Sequence, residues 1–456
     1  MSDDLIDGLN RSAKLFMDRA TATTVKEAVD RLKGFRMHLH VGAGVSAHSV
    51  HQAALLTALN CGRRSFLGGV TVSGALNAPL LVPIAEGSTL ADAVASLHGI
   101  VVDAIPDGVP LVYVGDPPEG VTDGFAIRMT FDGWRGGVVP LGATVLAERA
   151  GIAPAGVLAG ALAVAEVFAH HDGDAMAGYR AVGMSLWDQA AGADWTSAVA
   201  DGPAPTILPS DFWVVGLGHL GQAYLWTIGL LPFADPGQVR LFLQDVDEAG
   251  GSTESTSVLT FPADRGRLKT RICADWVERR GFRTRMIERR FENDLRIGPD
   301  EPLLALCGVD NPRARAILDG AGFATIFEAG LGAGAGDFRL IRTHSFPAPV
   351  GSARVWAEDI GAAPGEPETL PPAYDDLARR GVLDQCGLTR LAEVAVGAPF
   401  VGMVASAMLV SQAMRMVVDG VRPVVVNLDL RSVQHRSAVL RDVYDIVLFG
   451  TTRAQS

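Results

Sequence analysis

Cysteine is sparse in this sequence. Cys61, Cys273, Cys307 and Cys386 are its complement in 456 residues, and no two of them form a C-x-x-C pair. That spacing excludes a zinc knuckle and a disulfide framework, and it suits a reducing cytosol, so the expected location is cytoplasmic. Positive charge is short as well: 39 Lys and Arg against 51 Asp and Glu leave a net charge of −12. Non-specific nucleic-acid binding needs a basic surface, so no nucleic-acid partner is expected. The start, Met1-Ser-Asp-Asp-Leu-Ile-Asp7, has no apolar run behind it and does not read as a signal peptide. One uncharged run, Val394 to Met414, is just long enough to span a bilayer. It holds Gly397, Pro399, Gly402, Ser406, Ser411 and Gln412 and lacks an aromatic belt. A helix buried inside a domain is therefore expected, with no membrane partner.

What the chain does have is apolar residues, 48% against 20% charged. Such a composition allows a large core, and the length predicts two or three domains. The organising stretch is Phe212–Val215 followed by Gly216-Leu-Gly218-His-Leu-Gly221, then Arg240–Gln244 ending in Asp245-Val-Asp247. It reads as strand, glycine turn, helix and second strand with carboxylates at its tip. In G-x-G-x-x-G the first glycine permits the turn, the second admits a phosphate and the third lets the helix lie close to the sheet. The helix N-terminus offers free N–H groups to an anion, and Asp245 can accept from ribose hydroxyls. The competing reading is a tight helix–strand contact with no ligand.

The same pattern occurs earlier in weaker form. A helix is predicted over 22–33, with Thr24 and Glu27 at capping-box spacing. Then come a strand at Met37–Val41, the turn Gly42-Ala-Gly44, a helix over His51–Ala58 and a strand at Gly69–Ser73. This predicts an internal duplication. The copy lacks an acid after its second strand, where Ser73-Gly74-Ala75 stand, so no nucleotide is expected there. Apolar runs at Leu80–Ile84, Val101–Ile105 and Pro110–Val114 suggest that the sheet continues, and 154–170 predicts an apolar helix ending in His170 and His171. The proline-rich stretch 201–210 predicts a linker between a first domain, 1–200, and a second, 211–456.

In the second domain a helix is predicted over 266–280, with Lys269 and Arg271 in its first turns. Lysine there opposes the helix dipole unless an anion sits nearby; the alternative is a plain surface lysine. Strand Leu303–Cys307 delivers Asp310-Asn311 to the same rim as the glycine turn, and either residue can cap the helix from Pro312. A sheet strand is predicted over Phe338–Phe346. Residues 347–385 form a long connection, functional or mobile by its length, that leads to Cys386. Closing strands are predicted at Pro423–Leu430 and Arg441–Leu448. Cys273 and Cys307 read as inert core residues, and Cys386 as either a small buried residue or a nucleophile.

On these residues the chain resembles the ThiF/MoeB superfamily, the adenylating core of ubiquitin-activating enzymes, over residues 210–430. The resemblance rests on Gly216/Gly218/Gly221, Asp245 and Asp247, Lys269, Asp310-Asn311 with Arg313 and Arg315, and Cys386 ahead of Ala398-Pro-Phe-Val-Gly402. With Phe66-Leu-Gly-Gly-Val70 early and Asp429-Leu-Arg431 late, it is most similar to BilD-type activators of bacterial ubiquitin-like conjugation, linked to phage defence. It implies an α/β chain of two Rossmann-like adenylation-type domains, a pseudo-dimer whose N-terminal half is degenerate. It implies ATP and Mg²⁺ as cofactors, with Asp245 on the ribose, Lys269 on the phosphates, Asp310 on Mg²⁺ and an N-terminal arginine, Arg11 or Arg19, reaching the triphosphate. It implies a thioester on Cys386, a ubiquitin-like protein tail as substrate and a conjugating-enzyme-like carrier. Two departures stand out: Thr253 and Thr256 replace an Asn and an Arg, and the zinc cysteines of many relatives are absent. Two other classes compete. A non-catalytic nucleotide- or partner-binding scaffold fits the missing charges. An NAD(P)-dependent oxidoreductase shares the glycine turn but expects its acid about 20 residues on, and Asp245 lies farther.

Overall fold

The structure, a computed structural model, describes residues 6–84, 86–118, 124–190, 192–361, 371–441 and 450–455. In the first half, strands β1 (Met37–Val41), β2 (Val70–Gly74), β3 (Ile100–Val101), β4 (Leu111–Val114), β5 (Ala126–Asp132), β6 (Arg135–Pro140) and β7 (Val182–Ser185) form one sheet in the order β3-β2-β1-β4-β5-β6-β7. Pairing is parallel from β3 to β5 and antiparallel from β5 to β7. Three helices matter here: α1 (Lys14–Asp18), α2 (Ser49–Ser65) and α3 (Ala153–His171). Helix α3 is apolar all round and is buried along nearly its whole length, as such a pattern requires. Its Gly156 and Gly160 let it lie on α2: a Cβ there would come within 2.5 Å of Val50 O and 2.4 Å of Ala54 O.

The second half repeats the scheme. Strands β8 (Ile207–Pro209), β9 (Asp211–Val215), β10 (Arg240–Gln244), β11 (Arg283–Ile287), β12 (Leu304–Cys307), β13 (Thr325–Leu331), β14 (Leu340–Phe346), β15 (Arg422–Asp429), β16 (Ser437–Arg441) and β17 (Thr451–Arg453) supply an eight-stranded sheet, β11-β10-β9-β12-β13-β14-β15-β16, and a β8–β17 pair. The order from β11 to β15 matches that from β3 to β7 strand for strand, again parallel first and antiparallel after. Helices α4 (His219–Gly229), α5 (Lys269–Glu278), α6 (Pro312–Ala316), α7 (Gln385–Glu393) and α8 (Pro399–Met416) complete it. Helices α2 and α3 pack against α4 and α8, and one continuous core runs from Leu39 and Val41 through these helices to Phe212 and Val214. Trp226 of α4 donates its indole N–H to Thr57 Oγ1 of α2, 2.9 Å away, satisfying a buried donor across the two halves.

Several expectations shift. Thr24 caps the helix Val25–Lys33 through Glu27 N, but the Glu27 carboxylate answers Thr23 rather than Thr24. Helix α2 outruns the predicted 51–58 because its buried face continues through Leu59 and Cys61. The runs at Leu80–Ile84 and Val101–Ile105 are not strands; only Ile100–Val101 pairs, since Pro83, Pro106 and the turns around them interrupt the ladder. Residues 207–209 of the expected linker pair with β17. The predicted helix over 266–280 begins only at Lys269, because Gly266 has φ 79° and Leu268 bridges back to Glu248. The strand expected from Phe338 starts at Leu340. Helix α8 starts at Pro399, with the proline in the first turn where its missing N–H costs nothing. The connection 347–385 is partly helical, at Ser352–Val355, Ala357–Gly361 and Pro372–Arg379; residues 362–370 lie outside the described residues. So does all but Arg441 of the strand expected at Arg441–Leu448. One described helix, α3, is long and apolar enough to cross a membrane, and 89% of it is buried inside the protein.

Candidate nucleotide-binding rim

The glycine turn after β9 is shaped by backbone contact. Gly216 has φ 81°, which favours glycine, and a Cβ on Gly221 would meet Gly216 O at 1.9 Å. Gly308, just past β12, packs on the same spot: a Cβ there would lie 2.9 Å from Gly221 N. Gly218 differs. Its φ is ordinary, and a Cβ would meet nothing within 4 Å, so the N-terminus of α4 opens onto free space. This is the arrangement that lets a phosphate approach backbone N–H groups.

Asp245 closes the turn from the next strand. Its Oδ2 accepts from Leu217 N at 2.6 Å, and Oδ1 accepts from Val246 N at 2.7 Å and Asp247 N at 2.8 Å. A carboxylate has about four acceptor positions, so a ribose hydroxyl has room for one further bond. Asp247 takes the Lys269 Nζ at 3.1 Å, and its carbonyl accepts from Lys269 N at 3.0 Å. Lys269 is therefore the first residue of α5, fixed to the acid strand tip rather than adrift on the surface. Arg271, in contrast, is exposed and paired with Glu288. Asn311 caps α6 by accepting from Arg313 N at 2.9 Å, which spends its carbonyl oxygen and leaves its amide N–H donors. Asp310 is exposed and makes no hydrogen bond among the described residues. The backbone before it is held by Arg315, whose Nε donates to Val309 O at 2.7 Å. Arg315 is itself set between Glu328, which His344 contacts at 2.6 Å, and the Trp356 ring.

The first half enters this rim through a short turn. Arg11 N donates to Ser255 Oγ and Arg11 Nη2 to Ser252 Oγ, each at 3.2 Å, and Ser12 Oγ donates to Gly397 O at 2.9 Å. Burial lowers the pKa of the Arg11 guanidinium from its ordinary value, while Asp7 and Asp310 act to raise it. Arg11 and Asp310 thus lie within electrostatic reach of each other. Arg19 points elsewhere, paired with Asp172 at 2.8 Å and bonded to Ala335 O. Sequence reasoning did not find Ser252 and Ser255, although both stand in the polar loop it marked. Thr253 Oγ1 accepts from Gly250 N at 2.9 Å, which uses one lone pair and leaves its O–H donor.

Cys386 is exposed in the first turn of α7, whose cap is Asp384, and among the described residues it shares no hydrogen bond or ion pair with the rim. The other three cysteines are buried; burial pushes the thiols of Cys61 and Cys307 up to about 12 and raises that of Cys273. They are unreactive at neutral pH. His171 does not gather a metal: it stacks on Phe35 at 4.6 Å and bonds to Arg36. Among the described residues no group of three or more His, Cys, Asp or Glu could hold a metal ion. That leaves no all-protein cage, but Mg²⁺ needs none: it is commonly held by one or two carboxylates, phosphate oxygens and water, and the unbonded Asp310 fits that donor set.

The sequence matches the BilD N-terminal domain over residues 36–186 and the BilD C-terminal domain over residues 208–420. The bacterial E1-like protein BilD of Collimonas sp. (strain OK412) is 41% identical over 409 residues, 89% of this chain and 88% of that one. The chain belongs to the BilD family. Among solved structures, E. coli MccB aligns with 51% of the chain at 13% identity and a TM-score of 0.35, and MccB with ATP at 12% identity and 0.34. In both, the chain spans 63% of MccB's length. The BilD relationship accounts for both halves of the chain, the glycine-turn half and its degenerate neighbour.

Proposed function

We propose that this BilD-family chain activates the C-terminal carboxylate of a ubiquitin-like protein with ATP and passes it to Cys386 as a thioester, for delivery to a conjugating-enzyme-like carrier in bacterial antiphage defence. The observation that carries the reading is Arg11, held by Ser252 and Ser255 in the loop that Gln222 ties to the glycine turn and within electrostatic reach of Asp310. On this reading a cation from one half and a carboxylate from the other serve a triphosphate at the helix N-terminus that Gly218 leaves open.

The tail carboxylate attacks the α-phosphorus of ATP, the α–β P–O bond breaks, and pyrophosphate leaves. The phosphates lie along the Gly216–Gly221 turn and the N-terminus of α4, with the ribose on Asp245. Lys269 and Arg11 take up charge on the departing pyrophosphate, and Asn311 has amide donors to spare. Positioning and charge neutralisation account for most catalysis of this kind. Asp310 would hold Mg²⁺, which supplies Lewis-acid stabilisation of phosphate oxygens when bound. The Cys386 thiolate then attacks the acyl carbon, AMP departs, and the thiol proton passes to solvent.

The test is ATP–pyrophosphate exchange dependent on the partner's tail. Lys269→Ala and Asp310→Ala should each lower it by roughly 10²–10³-fold, the range for removing a group that stabilises transition-state charge. Unchanged exchange in both variants overturns the proposal, and tight ATP binding without pyrophosphate release supports a scaffold in its place.

A further inference from the structure

Arg64 ends helix α2 of the first half, yet its side chain is spent on the second. Nε donates to Glu254 O, and Nη2 donates to Val258 O and Thr260 O, all at 2.9 Å. Nη1 turns back to Asn60 O at 2.9 Å, and Asn60 Nδ2 adds a bond to Val258 O at 3.1 Å. The residue is 3% exposed. A buried guanidinium needs an acceptor for each of its N–H groups, and three of the acceptors here are backbone carbonyls of one loop in the other half. Apart from the turn Thr253–Ser255, the loop has no helix or strand to organise it.

The connections continue on both sides. The Arg64 main-chain carbonyl accepts from Asn10 Nδ2 at 3.2 Å, and Asn10 Oδ1 accepts from Ser12 N and Ala13 N, so the turn that presents Arg11 hangs from Arg64. The loop's near end carries Ser252 and Ser255, which hold Arg11. Its far end is tied to the glycine turn by Gln222, which accepts from Leu259 N at 2.8 Å and donates to Leu217 O at 3.0 Å. We infer that Arg64 is a positioning residue for the nucleotide rim: from the degenerate half its guanidinium sets the loop 252–260 and, through Ser252 and Ser255 of that loop, the placement of Arg11 against the glycine turn. The geometry stands by itself; the catalytic consequence rests on the adenylation reading. Lysine at this position offers a single ammonium in place of the planar fork and cannot serve the same carbonyls together.

Hydrogen exchange on the full chain tests the geometry without any nucleotide. Arg64→Lys, which keeps charge and most of the volume, should speed exchange about tenfold or more in residues 252–260 and also in residues 10–14, with β9 and β10 unchanged. Acceleration confined to 252–260, uniform acceleration along the chain, or none, overturns the inference. The catalytic arm is a double-mutant cycle on ATP–pyrophosphate exchange. If Arg64 acts through Arg11, then Arg11→Ala combined with Arg64→Lys is no slower than Arg11→Ala alone; multiplied losses overturn it. A wild-type chain without exchange defeats the adenylation reading, while the hydrogen-exchange arm still decides the placement.

Discussion

Gly42 and Gly216 stand at the same corner of their sheets, each just past the strand that sits between its parallel neighbours, and each is pressed by the segment after the next strand, with a Cβ on Gly216 only 3.0 Å from Val309 N. A Cβ on Gly42 would strike Asp116 O at 2.2 Å, the backbone of the segment after β4. Both turns open at their second glycine, Gly44 and Gly218, where a Cβ would meet nothing within 4 Å, so the difference lies at the strand tips around them. The acids differ too: Asp116 is paired with Arg128 at 3.1 Å, whereas Asp310 makes no hydrogen bond among the described residues. Where Asp245 follows β10, Ala75 follows β2, and its methyl group offers no acceptor. The outer faces diverge as well. Trp213, Phe242 and Phe323 fill one with aromatic packing, while His38, Thr71, Ser73 and His40 form a hydrogen-bonded chain on the other. One strand order thus carries two different sets of strand-tip residues.

That contrast can be broken by single atoms. Gly221→Ala should be the most damaging, because its Cβ is forced onto Gly216 O; unfolding in denaturant should show a loss of about 3 kcal/mol. Next, Gly218→Ala should leave the melting temperature almost unmoved yet reduce nucleotide affinity roughly tenfold or more in calorimetric titration, since the open space it invades is where a phosphate would lie. The matching change in the first half, Gly44→Ala, also has nothing within 4 Å and should alter neither quantity; an equal loss of affinity would show that both turns bind. Cys386→Ser should keep fold and nucleotide exchange while abolishing the thiol-labile adduct on a non-reducing gel, because the residue is exposed and remote in bonding from the rim.

The smallest effect is in pH. Burial holds the pKa of both His38 and His219 down to about 4, below the ordinary 6.5. Between those values the unfolded chain binds more protons than the folded one, so stability falls as pH drops from about 6.5 towards 4. Denaturant titrations at pH 7 and pH 5 should show this, and His38→Gln should flatten the difference. An unchanged slope would mean that the polar face of the first sheet is not what senses acid.

Much of this was legible along the chain. Alternating Met-His-Leu-His-Val and the glycine turns gave the two sheets their central strands, and Asp245, Lys269 and Asp310 could be placed on one rim because strand tips collect there. Harder to read was anything set by the meeting of the halves. Nothing near Arg64 in sequence announces that its acceptors lie beyond residue 250, and Asn10 and Gln222 look like ordinary polar residues until the loop between them is in place. The start of α5 was missed for a local reason: the bridge from Glu248 to Leu268 holds the chain extended until Lys269.

Arg11 and Asp310 belong to one polypeptide, although they come from different repeats of the same architecture. A pair assembled that way cannot be separated by dilution, nor can either member be swapped for that of a neighbouring molecule. The covalent link keeps both repeats in one molecule at any concentration while leaving the strand-tip loops of each free to differ.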